Sequence, residues 1–186
     1  MKELCVKLSG IGALLICGPV IYRISQGDVF NPASFFLWSA LALVSTIVLV
    51  RAKKGGHVLI AGYFLSDLII GICAYRQTGQ MKMEAFEWFV LAITATCTII
   101  YLICELRGNL RPAVISNAAA LMMAGMPQLI DFIQHPHQTS FVICGLYMLI
   151  NVLGFYGERT FNGKLIGGLS IIYWTVIIVG VGVNRM

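Results

Sequence analysis

The chain has 186 residues, 59% apolar and 11% charged, with 13 Lys and Arg against 8 Asp and Glu for a net charge of +5. Soluble domains average about 45–50% apolar and about 25% charged residues, so a soluble enzyme, a disordered chain and a disulfide-built scaffold are all excluded. The basic residues are scattered between long apolar runs, which speaks against nucleic acid as a partner and for membrane topology as the source of the charge; the mean hydropathy of +0.86 agrees.

A bilayer core about 30 Å thick needs roughly 20 apolar residues in helical form. Seven such runs follow one another. The first covers about residues 8 to 24 and contains Pro19; Lys2 and Lys7 precede it as in a signal peptide, but no small-x-small cleavage site follows, so it is expected to remain as a helix. The second runs from Ser34 to Val50, and the third, His57 to Tyr75, carries one acid, Asp67. The fourth spans Ala85 to Cys104, the fifth Ala113 to Ile133, the sixth Ser140 to Tyr156 and the seventh Leu165 to Val183. Turn-forming links such as Gln26-Gly27-Asp28, Lys53-Lys54-Gly55-Gly56, Arg107-Gly108-Asn109 and Asn162-Gly163 join them and leave no room for a soluble domain. The six cysteines lie in or beside the runs with no Cys-x-x-Cys pair, as packing residues rather than metal or redox groups.

Loops between seven spans alternate sides. Lys2, Lys7, Arg51, Lys53, Lys54, Arg107, Arg111, Arg159 and Lys164 fall on one side, nine in all, and Arg23, Arg76, Lys82 and Arg185 make four on the other. The positive-inside rule then places the N-terminus in the cytoplasm and the C-terminus outside.

The runs also repeat. Gly18-Pro19-Val20-Ile21-Tyr22 has its counterpart in Met126-Pro127-Gln128-Leu129-Ile130, 108 residues later; Ser34-Phe35 matches Ser140-Phe141 and Gly56 matches Gly163 at nearly the same offset. Spans one to three and five to seven therefore read as two copies of a three-helix bundle, residues 1–80 and 109–186, with span four in 81–108 as a linker helix. Copy two begins four spans after copy one, so both copies lie the same way up. The predicted fold is an all-α integral membrane protein with seven transmembrane helices in a 3+1+3 parallel repeat.

This arrangement, with Pro127-Gln128 followed by Ser140 and Pro19 followed by Ser34, resembles the PQ-loop and SWEET transporter superfamily. The stretches Asn31-Pro32 to Trp38, Gly125 to Asp131 and His135-Pro136-His137 are similar to bacterial members. The resemblance implies passive or proton-linked movement of a small solute, such as a sugar, amino acid or vitamin-like molecule, by alternating access in a bacterial inner (plasma) membrane. It covers the whole chain in topology, with two departures. Copy one has Pro19-Val20 in place of Pro-Gln, and family members usually keep the N-terminus outside, opposite to the charge count retained here.

Transporters built from repeats hold their solute near mid-membrane. Asp67 is the most informative residue, because an acid at a helix centre costs about 2.5–3.5 kcal/mol on insertion scales and is tolerated facing a bundle interior or water. The equivalent level of span seven carries Tyr173 and Trp174. A carboxylate binds hydroxyls or an ammonium and an aromatic face stacks on a sugar or a cation, so the candidate solute-binding residues are Asp67, Asn151, Tyr173, Trp174 and Gln128. The alternative is that Asp67 bonds a neighbouring helix while Tyr173 and Trp174 face lipid. Gln128 either lines the path or satisfies the carbonyl freed by Pro127. Pro19 and Pro127 are candidate hinges, with a static kink as the alternative. Asn117 joins helices, Ser45 is the repeat-equivalent of Asn151, Trp38 and Trp88 are expected at the interfacial belt or in packing, and Asp131 and Arg23 at span ends.

His135-Pro136-His137 lacks a third ligand, so no metal site is expected, and neither a nucleophile with its base nor a nucleotide loop appears; the chain is not expected to be an enzyme or to need a cofactor. The expected partners are the lipid bilayer and a small-molecule solute, with a homo-oligomer compatible with the composition. A non-transporting membrane receptor or scaffold is the competing reading, since fold does not fix function.

Overall fold

Lipid offers no partners for backbone N–H and C=O groups, so each long apolar run must bond within itself as a helix. The computed structural model describes residues 1–28, 30–51, 57–79, 83, 85–136 and 140–185. Lys53, Lys54, Gly55, Gly56, Lys82 and His137 lie outside these, and with them the Gly56–Gly163 correspondence and one half of the His-Pro-His element. The described residues form α-helices and no strand: α1 (Lys2–Leu15), α2 (Cys17–Ser25), α3 (Pro32–Arg51), α4 (His57–Thr78), α5 (Ala85–Leu106), α6 (Leu110–Ala124), α7 (Met126–Gln134), α8 (Phe141–Gly157) and α9 (Phe161–Arg185).

Four helical stretches, Lys2–Ser25, His57–Thr78, Trp88–Leu106 and Gly163–Arg185, are long and apolar enough to cross a membrane, and Pro32–Ile47 and Phe141–Gly157 are shorter apolar helices. These are the dimensions of an integral membrane protein. The first expected span thus forms as α1 and α2, and the fifth as α6 and α7.

Local chemistry sets the ends. Gly27 takes φ +97° after α2 and Gly108 takes φ +72° after α5. Around each, two N–H groups reach back to the last helical carbonyls, Gly27 to Ile24 and Asp28 to Arg23, Gly108 to Glu105 and Asn109 to Cys104, the double closure that a left-handed residue permits. Pro32 opens α3, where its missing N–H costs nothing, and Asn31 Oδ1 accepts from the Ala33 N–H at 3.0 Å. Thr160 Oγ1 accepts the Gly163 N–H at 3.2 Å ahead of α9.

Six of the seven expected spans close into a ring. α4 packs between α1 and α3, α3 meets α6, α9 packs between α6 and α8, and α8 returns to α1. α4 and α9 therefore stand across the ring from one another, while α5 lies outside, mainly on α6. Between lipid-bathed helices close packing replaces the hydrophobic drive. At the α1–α4 crossing a Cβ on Gly10 would meet Val58 Cγ1 at 2.5 Å. Ala118, Ala120 and Ala124 are buried in α6, with the latter two against Leu41 of α3, whereas Ala119 is exposed.

The ends of the ring differ. Arg185 donates to the Pro136 carbonyl and Gln77 to that of Ile24, gathering the α2, α4, α7 and α9 termini at one end. Lys2 and Val6 lie against Gly157 at the other. A large cluster runs from Phe30, Phe35 and Phe132 at the first end along the ring to Ala13, Leu59 and Ile150, and a small one of Ala42, Leu49, Ile60 and Ile166 sits toward the second end.

Candidate functional site

Among the ring helices lies a cavity of about 80 Å³. By the measure in which one water occupies about 10–15 Å³, it holds several waters or a small molecule. Its wall draws on α3, α4, α6, α8 and α9.

Helical spacing builds this wall in pairs, since residues four apart share a face. α4 presents Tyr63 and Asp67, and α8 presents Tyr147 and Asn151. The Asn151 amide joins them: Nδ2 donates to the Tyr63 hydroxyl at 2.7 Å and to the Tyr147 carbonyl at 2.8 Å. Because a backbone carbonyl can only accept, this second bond fixes which way the amide points. Asn151 Oδ1 is left with no donor among the described residues. From α9, Trp174 stacks on Tyr147 with centroids 4.2 Å apart and planes 10° from parallel, and Tyr63 lies on the far side of Tyr147 at 6.1 Å and 17°.

A second group ties the wall to the broken helix. The N–H of Gly125, between α6 and α7, bonds to Met122, three residues back, and so abandons the Leu121 carbonyl. Trp38 Nε1 donates to that carbonyl at 3.0 Å from α3, and the Tyr173 hydroxyl donates to the Gly125 carbonyl at 2.8 Å from α9. The two rings meet edge to face at 5.9 Å. A Cβ on Gly125 would lie 2.5 Å from Trp38 Cζ2, so only glycine admits this approach.

Asp67 is 5% exposed, lines the cavity, and has neither hydrogen bond nor ion pair among the described residues. No Lys, Arg or His lines the cavity among those residues. A carboxylate held this way costs several kcal/mol if ionised, even after relaxation. Beyond the cavity wall on one side stand Phe35, 5.5 Å from Trp38, and Phe132, 6.3 Å from Trp174. Ile60 and Ile166 stand in the wall on the other side.

Four of the five sequence-derived site residues, Asp67, Asn151, Tyr173 and Trp174, meet on this cavity. Gln128 does not: it is fully buried on α7, where its Oε1 accepts the Asn31 N–H at 3.2 Å. Its side chain fastens the α2–α3 connection rather than facing the centre of the ring. Trp38, expected at the belt or in packing, turns inward to line the cavity, while Trp88 is exposed at the start of α5. Pro127 is buried and Pro19 exposed. Asn117 accepts from Ser45 Oγ at 2.9 Å, joining α6 to α3, and Arg23 pairs with Asp28 at 2.7 Å. Among the described residues no three His, Cys, Asp or Glu side chains gather to hold a metal ion.

Sequence reasoning misses Tyr63 and Tyr147 as site residues. Each stands four positions before a mid-span polar group, Asp67 or Asn151, and that spacing is the available signal. Searches against protein-family models, curated proteins and solved structures gave no match for this chain.

Proposed function

We propose that this protein is a membrane transporter that moves a small polar solute, such as a sugar, amino acid or vitamin-like molecule, by alternating access through the central cavity. The observation that carries the proposal is a cavity among the ring helices with an acid in its wall that has no ion pair or hydrogen bond among the described residues. Intramembrane acids of this kind mark solute, ion and proton paths.

The proposal includes two parallel three-helix units, residues 1–80 and 109–186, linked by 81–108, as in the PQ-loop and SWEET superfamily. Several features support it. The broken pair of 14 and 9 residues, α1 and α2, recurs as 15 and 9 in α6 and α7. The order α1–α4–α3 recurs as α6–α9–α8, and the crossings α1–α8 and α3–α6 correspond under a two-fold axis through the ring. The linker helix α5 stands outside that ring, as a segment not included in the symmetry would. A bacterial plasma membrane with the N-terminus in the cytoplasm completes the proposal, supported by the nine-to-four distribution of Lys and Arg.

Alternating access needs the cavity to open to each side in turn. The apolar contacts of Phe30 with Phe132 and of Ile60 with Ile166 are where the two sides would part, and the helix breaks before Pro19 and Pro127 are where the bundles can bend. The small cavity volume favours the second reading, a non-transporting receptor or scaffold.

Counterflow into liposomes carrying the purified protein, over a panel of sugars, amino acids and vitamin-like solutes with and without a pH gradient, separates the two. Protein-dependent accumulation of any member supports transport. No movement across the whole panel, with the protein shown to be folded, rejects it in favour of the receptor reading.

A further inference from the structure

The cavity wall also constrains the charge of its occupant. Resting on the transport reading and deepening it, we infer that the cavity takes a small organic monocation, an ammonium head on an apolar body, and that this cation exchanges for one proton on the carboxyl group of Asp67.

Charge balance comes first. Asp67 lines the cavity at 5% exposure with no ion pair and no hydrogen bond among the described residues. The titratable groups that face it are Tyr63 on its own helix, Tyr147 on α8 and Tyr173 on α9. Cys144 on α8 and Cys17 at the start of α2 lie beside Tyr147. The α3 and α6 walls contribute Trp38, Leu121 and Met122, which do not titrate. Neither phenols nor thiols carry positive charge in any protonation state. Among the described residues the carboxylate therefore has no counter-charge at the cavity, and ionisation of so buried a group costs several kcal/mol. A proton removes that cost, and so does a bound cation, but the same oxygens cannot serve both.

Hydrogen-bonding capacity points the same way. An ionised Asp67 offers two acceptor oxygens, and Asn151 Oδ1 on the same wall lacks a donor because the Tyr147 carbonyl fixes the amide. The Tyr63, Tyr147 and Ser170 hydroxyls on the wall both donate and accept, whereas the donor-only groups, Trp38 Nε1 and Asn151 Nδ2, are already spent. The acceptor-only carboxylate is therefore best complemented by a donor-rich head such as an ammonium group.

A metal ion fits poorly. Hard divalent cations take about six or more oxygen ligands, whereas much of this wall is carbon: Trp38, Tyr147 and Trp174 rings with Leu and Ile side chains. Aromatic surface attracts cations and accommodates an apolar body. A volume of about 80 Å³ limits the occupant to a head group and a few carbons.

The exchange balances without another reactant. As the cation enters, the O–H bond of the protonated carboxyl breaks, its proton leaves to water, and the carboxylate keeps the electron pair and faces the ammonium. Release of the cation reverses each step, giving one proton moved for one cation.

The test uses the full chain in detergent and then in liposomes. Ethanolamine and choline are titrated against their uncharged carbon isosteres, propan-1-ol and dimethylbutanol, over a pH series from mildly acid to mildly alkaline. The expected result is at least about tenfold tighter binding of a cation than of its isostere at the alkaline end, about 1.4 kcal/mol, and loss of that preference as acid protonates Asp67. Asp67→Asn should abolish both the preference and its pH dependence, while Asp67→Glu should retain them. The competition between proton and cation is read on the unaltered protein, so it stands even if Asp67→Asn does not fold. Equal binding of ethanolamine and propan-1-ol, absence of cation binding, or a cation preference that ignores pH overturns the inference.

Counterflow of the same probes distinguishes its failure from that of transport. Cations that bind in competition with protons but never cross leave the site standing and reject transport. Neutral sugars or amino acids that cross while the cations neither bind nor cross reject the cation site and leave transport standing.

Discussion

The helix breaks before Pro19 and before Pro127 occupy matching places in the sequence and have different physical roles. At the first, ordinary helical bonding continues through the junction: the Ile16 N–H reaches Gly12 at 3.0 Å and Val20 reaches Ile16 at 3.3 Å. Ile16 keeps helical dihedrals, Pro19 is exposed, and nothing lies within 4 Å of where a Cβ on Gly18 would stand. At the second, the Gly125 N–H shifts to a three-residue bond, Pro127 is buried, and Trp38 and Tyr173 donate from two other helices to the carbonyls at the break. A proline alone makes a bend. The neighbours decide whether that bend is free on the outer surface or fastened to the cavity wall.

Substitutions at the two breaks should separate these roles. Gly125→Ala is expected to have the largest effect, about 1–3 kcal/mol of destabilisation from overpacking against Trp38; thermal unfolding in detergent measures it, and an unchanged midpoint would show that the contact yields. Trp38→Phe should cost about 1–2 kcal/mol in the same assay, because the Leu121 carbonyl loses its donor in a buried place. Tyr173→Phe should cost less, about 1 kcal/mol or below, since the Gly125 carbonyl keeps the Leu129 N–H at 3.0 Å. Equal losses at Trp38 and Tyr173 would mean that ring packing, not carbonyl satisfaction, dominates. Gly18→Ala should have the smallest effect, within about 0.5 kcal/mol, as an exposed change with no neighbour to displace. A loss there comparable to that of Gly125→Ala would erase the distinction between the breaks.

The two-fold correspondence that supports the repeat is likewise unequal at the cavity. Asp67 on α4 stands at the level of Trp174 on α9, so acid and aromatic face the same chamber from opposite sides of the ring. Ser45 pairs with Asn117, whereas Asn151, its sequence counterpart, bonds Tyr63 and Tyr147. At the two levels that the proposed repeat would make equivalent stand one polar helix junction and one cavity wall.

Much of this was legible in the residues. Apolar runs of sufficient length can only be helices in lipid, and an acid amid them has few tolerable places, which made Asp67 conspicuous. Asn151, Tyr173 and Trp174 followed from depth and came to the cavity. Gln128 stayed off the cavity because depth says nothing about direction: on α7 it turns toward the α2–α3 connection and accepts the Asn31 N–H. Trp38, expected at the belt or in packing, packs against the core clusters, and its place on the cavity wall was not legible because interfacial and inward tryptophans share the same sequence context.

Composition and the spacing of apolar runs, by themselves, determined the helices and the isolation of Asp67, because the bilayer imposes those constraints locally on the chain. Only the tertiary structure decided that Tyr63 and Tyr147 complete the wall, that Trp38 fastens the α6–α7 break and that Gln128 is spent on the Asn31 N–H. These depend on how each helix is rotated about its axis, and that rotation is fixed by contacts such as Gly10 on Val58 and Gly125 on Trp38, between residues far apart in the chain.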